Sequence, residues 1–266
     1  MDFIRLRREL VSKGYTQRTA DAKIAHDVVL KAMRDAGFHD NLAVKGGVVM
    51  SGITDLARRA TMDMDVDLLH YSLGEASMRR LVARLNRHSE CDISIDGEIA
   101  DLRQQDYRGK RMYLIARDDN GHAVRTKIDV GVHTYESVKQ ADYDFRVVTS
   151  TTAVRLLVNP KEQIFVEKLK SLLRIGPVTT RFKDVYDMHY LLNRMRKTVL
   201  KRLLDLFIFR DARMAENDMS GILTRLLGVF SNRNFIRRLA NPNVAWSGVT
   251  AETVVSDILA FLSTLG

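Results

Sequence analysis

The chain has 266 residues, enough for one large domain or two small ones around a sizeable core. Hydrophobic residues at 45% and charged residues at 28% suit a water-soluble globular protein, and no apolar run approaches the ~20 residues of a membrane span. The net charge of +9 points to an anionic partner, and a single cysteine, Cys91, excludes an internal disulfide or a thiolate metal centre.

The opening MDFIRLRRELVSKGY has no apolar export segment, so a reducing cytoplasm is the expected location. Residues 4–36 predict a helix, with Ala20, Ile24, Val28, Val29 and Met33 as its apolar stripe and Gly37 as its stop. Leu42-Ala43-Val44 predicts a short buried strand that runs into Gly46-Gly47, with a helix from Val48 to Leu56 and a basic turn at Arg58-Arg59. Glycines at a strand-to-helix junction let phosphate oxygens approach the backbone and the N–H groups of the helix start. A glycine pair also makes a plain tight turn, and only its distance from the next, acidic strand gives it weight.

Asp63-Met64-Asp65-Val66-Asp67 alternates carboxylates with apolar residues, which places the three acids on one face of a strand over about 62–69. Aligned carboxylates repel one another, so a cation is the usual reason to keep them. Oxygen-only ligands select a hard ion such as Mg²⁺. A solvated acidic edge strand is the plain alternative.

A helix over about 74–88 carries Arg79, Arg80, Arg84 and Arg87, and Ile93 and Ile95 alternate as in a strand. Lys110–Ala116 and Val124–Val132 flank Asp118-Asp119-Asn120-Gly121, where Asn-Gly predicts the tight turn of a hairpin. Asp129 then falls in mid-strand, where a charge is costly unless it is paired or binds metal. Beside the 62–69 strand, Asp129 would complete a cluster with Asp63 and Asp65 able to hold two Mg²⁺ for in-line phosphoryl transfer. Pairing with a neighbouring Lys or Arg is the alternative.

Asn159-Pro160 breaks the chain and opens a helical remainder from about 161. The chain thus divides into an α+β half over 1–154 and a helical half over 155–266. Residues 1–154 carry 24 Lys/Arg against 23 Asp/Glu, whereas 155–240 carry 18 against 8, so the positive field belongs to the helical half. It suits a nucleic-acid backbone, or simply a solvated basic face.

Lys168 projects within the apolar arc of Ile164, Phe165, Leu169 and Leu172, so it either snorkels or meets an anion such as a substrate phosphate. In Arg181-Phe182-Lys183-Asp184-Val185-Tyr186-Asp187, the apolar face is Phe182, Val185, Met188 and Leu192. Lys183, Asp184 and Asp187 fall opposite it, as a solvated face or as an acid pair organising Lys168 and a nucleotide. His26, His39, His70, His88, His122, His133 and His189 show no metal spacing.

Lys45-Gly46-Gly47, Arg59-Ala60-Thr61-Met62-Asp63-Met64-Asp65, Lys127-Ile128-Asp129, Glu167-Lys168-Leu169 and the 181–187 block together resemble the AbiEii/AbiGii-type nucleotidyltransferase toxins. These belong to the DNA polymerase β-like nucleotidyltransferase superfamily, and the resemblance spans roughly residues 40–190. It implies an α+β fold with a small mixed sheet, then a helical C-terminal region. It also implies a toxin with a cognate antitoxin, and transfer of NMP from an NTP, with Mg²⁺, to the 3′ end of RNA, tRNA above all, blocking translation.

By position, Asp63 and Asp65 match the metal ligands and Asp129 the third carboxylate, which is also the best-placed general base. Lys45, Gly46, Gly47 and Thr61 match the nucleotide site, and Lys168, Asp187, Arg181 and Asp184 match the downstream motifs. Val48 stands where the family often has Ser or Thr, which loses a phosphate contact or moves it to Ser51. Asp67 is additional to the usual pair and is expected to be a bystander. The same chemistry on a small acceptor such as an antibiotic, and a non-catalytic nucleic-acid-binding protein, are the alternatives.

Overall fold

A computed structural model of the protein describes residues 1–69, 73–102, 109–133 and 137–266. His70 lies outside the described residues. The chain divides into two compact units, 1–159 and 160–266.

The first unit opens with two helices where the sequence predicts one, α1 (Phe3–Ser12) and α2 (Gln17–Asp35). The break lies at Gly14, with φ of +94°, and Thr16 then caps α2 by accepting from the Thr19 N–H in a reciprocal capping box. The apolar stripe begins at Ala20, in the second helix, and so does not report the break.

Along the rest of this unit run β1 (Leu42–Lys45), α3 (Gly46–Thr54), β2 (Asp63–Leu68), α4 (Glu75–Arg87), β3 (Asp92–Ile95), β4 (Ala100–Leu102), β5 (Gly109–Arg117), β6 (Ala123–Val132), β7 (Ala141–Phe145) and β8 (Val154–Val158). Among the described residues the strands form one open mixed sheet in the order β3-β5-β6-β2-β1-β8-β7, with β4 also on β5. β2 runs parallel to β6, and β1 parallel to β8; the other pairs are antiparallel. The fold is therefore α+β with a mixed sheet.

β2 lies between β1 and β6, so the edge-strand alternative for the carboxylates does not hold. Alternation along β2 and β6 puts Met64, Val66, Ile128 and Val130 on one face, all buried, while α2 packs on β5, β6 and β8. Asp63, Asp65, Lys127 and Asp129 take the other face.

The β5–β6 hairpin forms at the expected signal, and its loop has three residues. A two-residue Asn120-Gly121 turn would pair Asp119 with His122 and set Met112 opposite Asp129. Instead Arg117 pairs with Ala123, and Arg111 faces Asp129. Gly121 alone is left-handed, at φ of +81°, and its N–H donates to the Asp118 carbonyl, the pattern of a three-residue loop with a bulge. Asp118 holds the loop by accepting from the N–H groups of Asn120, His122 and Phe3.

The second unit is helical: α5 (Lys161–Ile175), α6 (Phe182–Leu191), α7 (Lys197–Leu204) with a π-helical turn at Asp205–Phe209, α8 (Met219–Phe230), α9 (Arg233–Leu239) and α10 (Ala251–Ser263). Its core includes Phe165, Leu169, Val185, Tyr186, Phe235 and Ile258, and the Tyr186 hydroxyl donates to the Leu239 carbonyl at 3.0 Å. Among the described residues no helix is long and apolar enough to cross a membrane.

Candidate active site

Strand register builds the site. Lys45 of β1 is aligned with Asp65 of β2, Asp65 with Asp129 of β6, and Asp129 with Arg111 of β5. One rung across four strands therefore reads cation, carboxylate, carboxylate, cation. Asp63 lies two residues along β2, aligned with Lys127. Two adjacent carboxylates repel, and the flanking cations offset that repulsion.

Asp63, Asp129 and Asp67 each have a definite partner. Lys127 Nζ is 2.8 Å from Asp63 Oδ2, and Arg111 donates from Nε and Nη2 to the two oxygens of Asp129, each at 2.8 Å. Those bonds hold the Arg111 guanidinium well above its ordinary pKa. Asp67 is buried with Lys45, whose Nζ is 2.7 Å from its Oδ1. Asp67 is thus the counter-charge of Lys45. Asp129 answers the sequence alternatives with an arginine pairing, whatever it also binds.

Gly46 and Gly47 open α3, which has no side-chain cap. Gly46 has φ of +62°, and a Cβ there would lie 2.8 Å from Asp65 Oδ2. A Cβ at Gly47 would lie 2.6 Å from Thr61 Oγ1. The glycines therefore make room for the side chains of Asp65 and Thr61 at the helix start. The Thr61 hydroxyl donates to the Asp63 carbonyl at 3.3 Å. Val48 is buried, and it and Ser51 both line a cleft shared with Thr61 and His26.

Asp63, Asp65 and Asp129 offer only oxygen donors on one face, which is the chemistry of a hard divalent cation. They fit such an ion in donor chemistry and share one face of the sheet. Among the described residues no three His, Cys, Asp or Glu side chains are gathered as a metal cage, and Asp63 and Asp129 are paired with Lys127 and Arg111. An ion held there would compete with Lys127 and Arg111 for the charge of these carboxylates.

In the helical unit, Lys168 is buried on α5 and meets carboxylates. It pairs with Asp184, and its Nζ is 2.9 Å from Asp187 Oδ2. Asp187 is 0% exposed, so it does not lie on a solvated face of α6. Burial of Lys168 and Asp187 is mutual: each offsets the desolvation of the other. Arg181 is exposed at the start of α6, where its N–H donates to Thr179 Oγ1.

Arg111 is the residue that sequence reading misses. Its signal is the hairpin register, which sets Arg111 opposite Asp129 once the loop is counted as three residues. Lys127 stands inside the Lys127-Ile128-Asp129 motif, but its pairing with Asp63 depends on the parallel β2–β6 contact, which no local pattern announces.

The model of a family described as "Nucleotidyl transferase AbiEii toxin, Type IV TA system" matches residues 28–244. The chain belongs to this family. The AbiEii match takes in every candidate site residue and extends beyond the 40–190 span of the sequence resemblance. In this family the chain is a nucleotidyl transferase and the toxin of a type IV toxin–antitoxin pair, with an antitoxin as its partner. A crystal structure of an antigenic nucleotidyltransferase-like protein from Paracoccidioides brasiliensis is similar at a TM-score of 0.46 and 14% identity, over 82% of this chain and 91% of that chain. No curated protein matches the sequence.

Proposed function

We propose that this AbiEii-family chain transfers NMP from an NTP to the 3′-hydroxyl of an RNA, with tRNA as the acceptor, and uses Mg²⁺. The observation that carries the reading is the alignment of Asp65 with Asp129 on adjacent parallel strands, with Asp63 two residues away and the uncapped α3 start beside Asp65. A divalent cation held by Asp63, Asp65 and Asp129 supplies charge neutralisation at the phosphorus oxygens and activation of the attacking hydroxyl.

The chain's own groups do the rest. The first N–H groups of α3 and Lys45 bind phosphate oxygens, and the Thr61 hydroxyl lies beside them. The RNA 3′-oxygen bonds to the α-phosphorus, the α–β phosphoanhydride bond breaks, and pyrophosphate leaves with its electron pair. Asp129 accepts the proton of the attacking hydroxyl. Lys168, ordered by Asp184 and Asp187, stabilises the triphosphate, and Arg181 adds a further cation. The excess of Lys and Arg over residues 155–240 supports an RNA acceptor, gripped through its backbone and presented by its free 3′ end.

The test is incubation with tRNA, Mg²⁺ and each labelled NTP in turn. Labelled tRNA should accumulate with one or more NTPs and disappear in Asp63→Ala. No transfer by the wild type, or undiminished transfer by Asp63→Ala, rejects the reading.

A further inference from the structure

Arg111 has no role in the proposed transfer, yet it ends the rung that contains the candidate metal carboxylates. Its guanidinium uses Nε and Nη2 on Asp129, while Nη1 has no partner among the described residues. The Arg111 side chain is 37% exposed and that of Asp129 is 9% exposed, so the fork closes over the carboxylate from the solvent side. Strands in a sheet lie ~4.8 Å apart, which puts the Arg111 Cα about 10 Å from that of Asp65, within reach of a phosphate held at Asp65.

We infer that Arg111 is a nucleotide-phosphate ligand that Asp129 keeps in store: without a divalent cation its fork neutralises Asp129, and a cation on the carboxylates displaces it onto the triphosphate. This rests on the nucleotidyl-transfer reading. The physical reason is competition for one carboxylate. Each oxygen of Asp129 already accepts an Arg111 N–H bond, so a cation and the guanidinium compete for the one negative charge and the remaining lone pairs, and each weakens the hold of the other. A released guanidinium cannot lose its charge and is shaped to take two oxygens of a phosphate. Cation and triphosphate binding are then coupled, each favouring the other through Arg111.

Calorimetric titration tests this with two probes used separately, inorganic tripolyphosphate without metal and Mn²⁺ without nucleotide. Asp129→Asn breaks the charged pair and should strengthen metal-free tripolyphosphate binding about tenfold, the worth of one charged hydrogen bond. The gain should vanish in Asp129→Asn combined with Arg111→Met. Arg111→Met alone should bind Mn²⁺ about tenfold more tightly, because its competitor is gone. Should Arg111→Met fail to fold, Arg111→Lys keeps the charge without the fork and should give part of the same Mn²⁺ gain.

The inference is overturned if Asp129→Asn with and without Arg111 binds tripolyphosphate equally, or if Mn²⁺ affinity ignores the Arg111 substitution. Either result would leave Arg111 as a tie between β5 and β6. A wild type that binds no NTP even with Mn²⁺ rejects the nucleotidyl-transfer reading itself, a separate failure.

Discussion

Gly46 is pressed against the carboxylate of Asp65. A Cβ at position 46 would stand 2.8 Å from Asp65 Oδ2 and 3.7 Å from its Cβ, and the backbone there is left-handed at φ of +62°. The glycine thus serves two demands at once, a turn from β1 into α3 and room for the carboxylate beside the helix start. Gly46→Ala should cost about 1–3 kcal/mol of stability through backbone strain, and should move Asp65 as well. Nucleotide transfer should fall at least about tenfold, more than the stability loss explains at saturating folded protein. Transfer at the wild-type rate would show that Asp65 does not depend on the glycine.

Lys45 and Asp67 are 8% and 4% exposed, and their charged groups meet at 2.7 Å. Removing one charge from a buried pair leaves the other uncompensated, at about 3–5 kcal/mol. Asp67→Leu should therefore lower stability by that order in chemical denaturation, and Asp67→Leu with Lys45→Met should recover most of it. The double variant should remain folded yet transfer nucleotide poorly, since Lys45 is gone from the rung. If the double variant is as unstable as the single one, the pair is not what keeps these side chains buried.

The contrast between Asp67 and Asp65 marks where sequence reading reaches its limit. Period-two alternation is enough to put Asp63, Asp65 and Asp67 on one face, because it is a local property of a strand. Which neighbour each one meets is set by register between strands distant in sequence. Asp65 beside Asp129 needs β2 to lie parallel to β6, and Lys45 beside Asp67 needs β1 antiparallel to β2. The Asn120-Gly121 signal identifies the hairpin, but its loop length decides between Arg111 and Met112 opposite Asp129, and a shift of one residue reverses the face. On α6, helical periodicity sets Asp187 opposite the apolar residues, and only the approach of Lys168 from α5 makes its burial tolerable. The ion partners were the hidden part of the site.

His26 is buried in α2 with Nε2 unpartnered among the described residues, and it lines the cleft next to Thr61. Burial, reinforced by the Lys23 charge and opposed by the Met62 backbone, pushes its pKa down to about 3. The unfolded chain takes up this proton below ~6.5, whereas the folded chain refuses it until about 3. Folding stability should therefore fall as pH drops through that window, by about 2 kcal/mol between pH 7 and pH 5 from this group. Burial raises the pKa of Asp27 and acts in the opposite sense, so the informative quantity is the difference between two curves. His26→Phe should flatten the wild-type slope between pH 7 and pH 5 in urea titrations. Parallel curves for the two proteins would mean that His26 is protonated in the folded state.

Lys168 is the hardest residue to interpret from activity alone, because its Nζ is 2.9 Å from the fully buried Asp187 and also pairs with Asp184. Lys168→Met withdraws a cation from two carboxylates, one of them 0% exposed, and should destabilise the helical unit by about 3–5 kcal/mol. Lost transfer in that variant therefore says nothing yet about phosphate binding. Asp187→Asn should be milder, about 1–3 kcal/mol, since Lys168 keeps Asp184. Lys168→Met combined with Asp187→Leu removes both buried charges and should regain stability in chemical denaturation. A regained fold with transfer still absent assigns the Lys168–Asp187 pair to the reaction, because the structural defect has been repaired without it. A regained fold with transfer restored confines Lys168 to holding α5 against α6. If Lys168→Met alone unfolds at the wild-type denaturant concentration, Asp187 does not depend on this lysine for its burial.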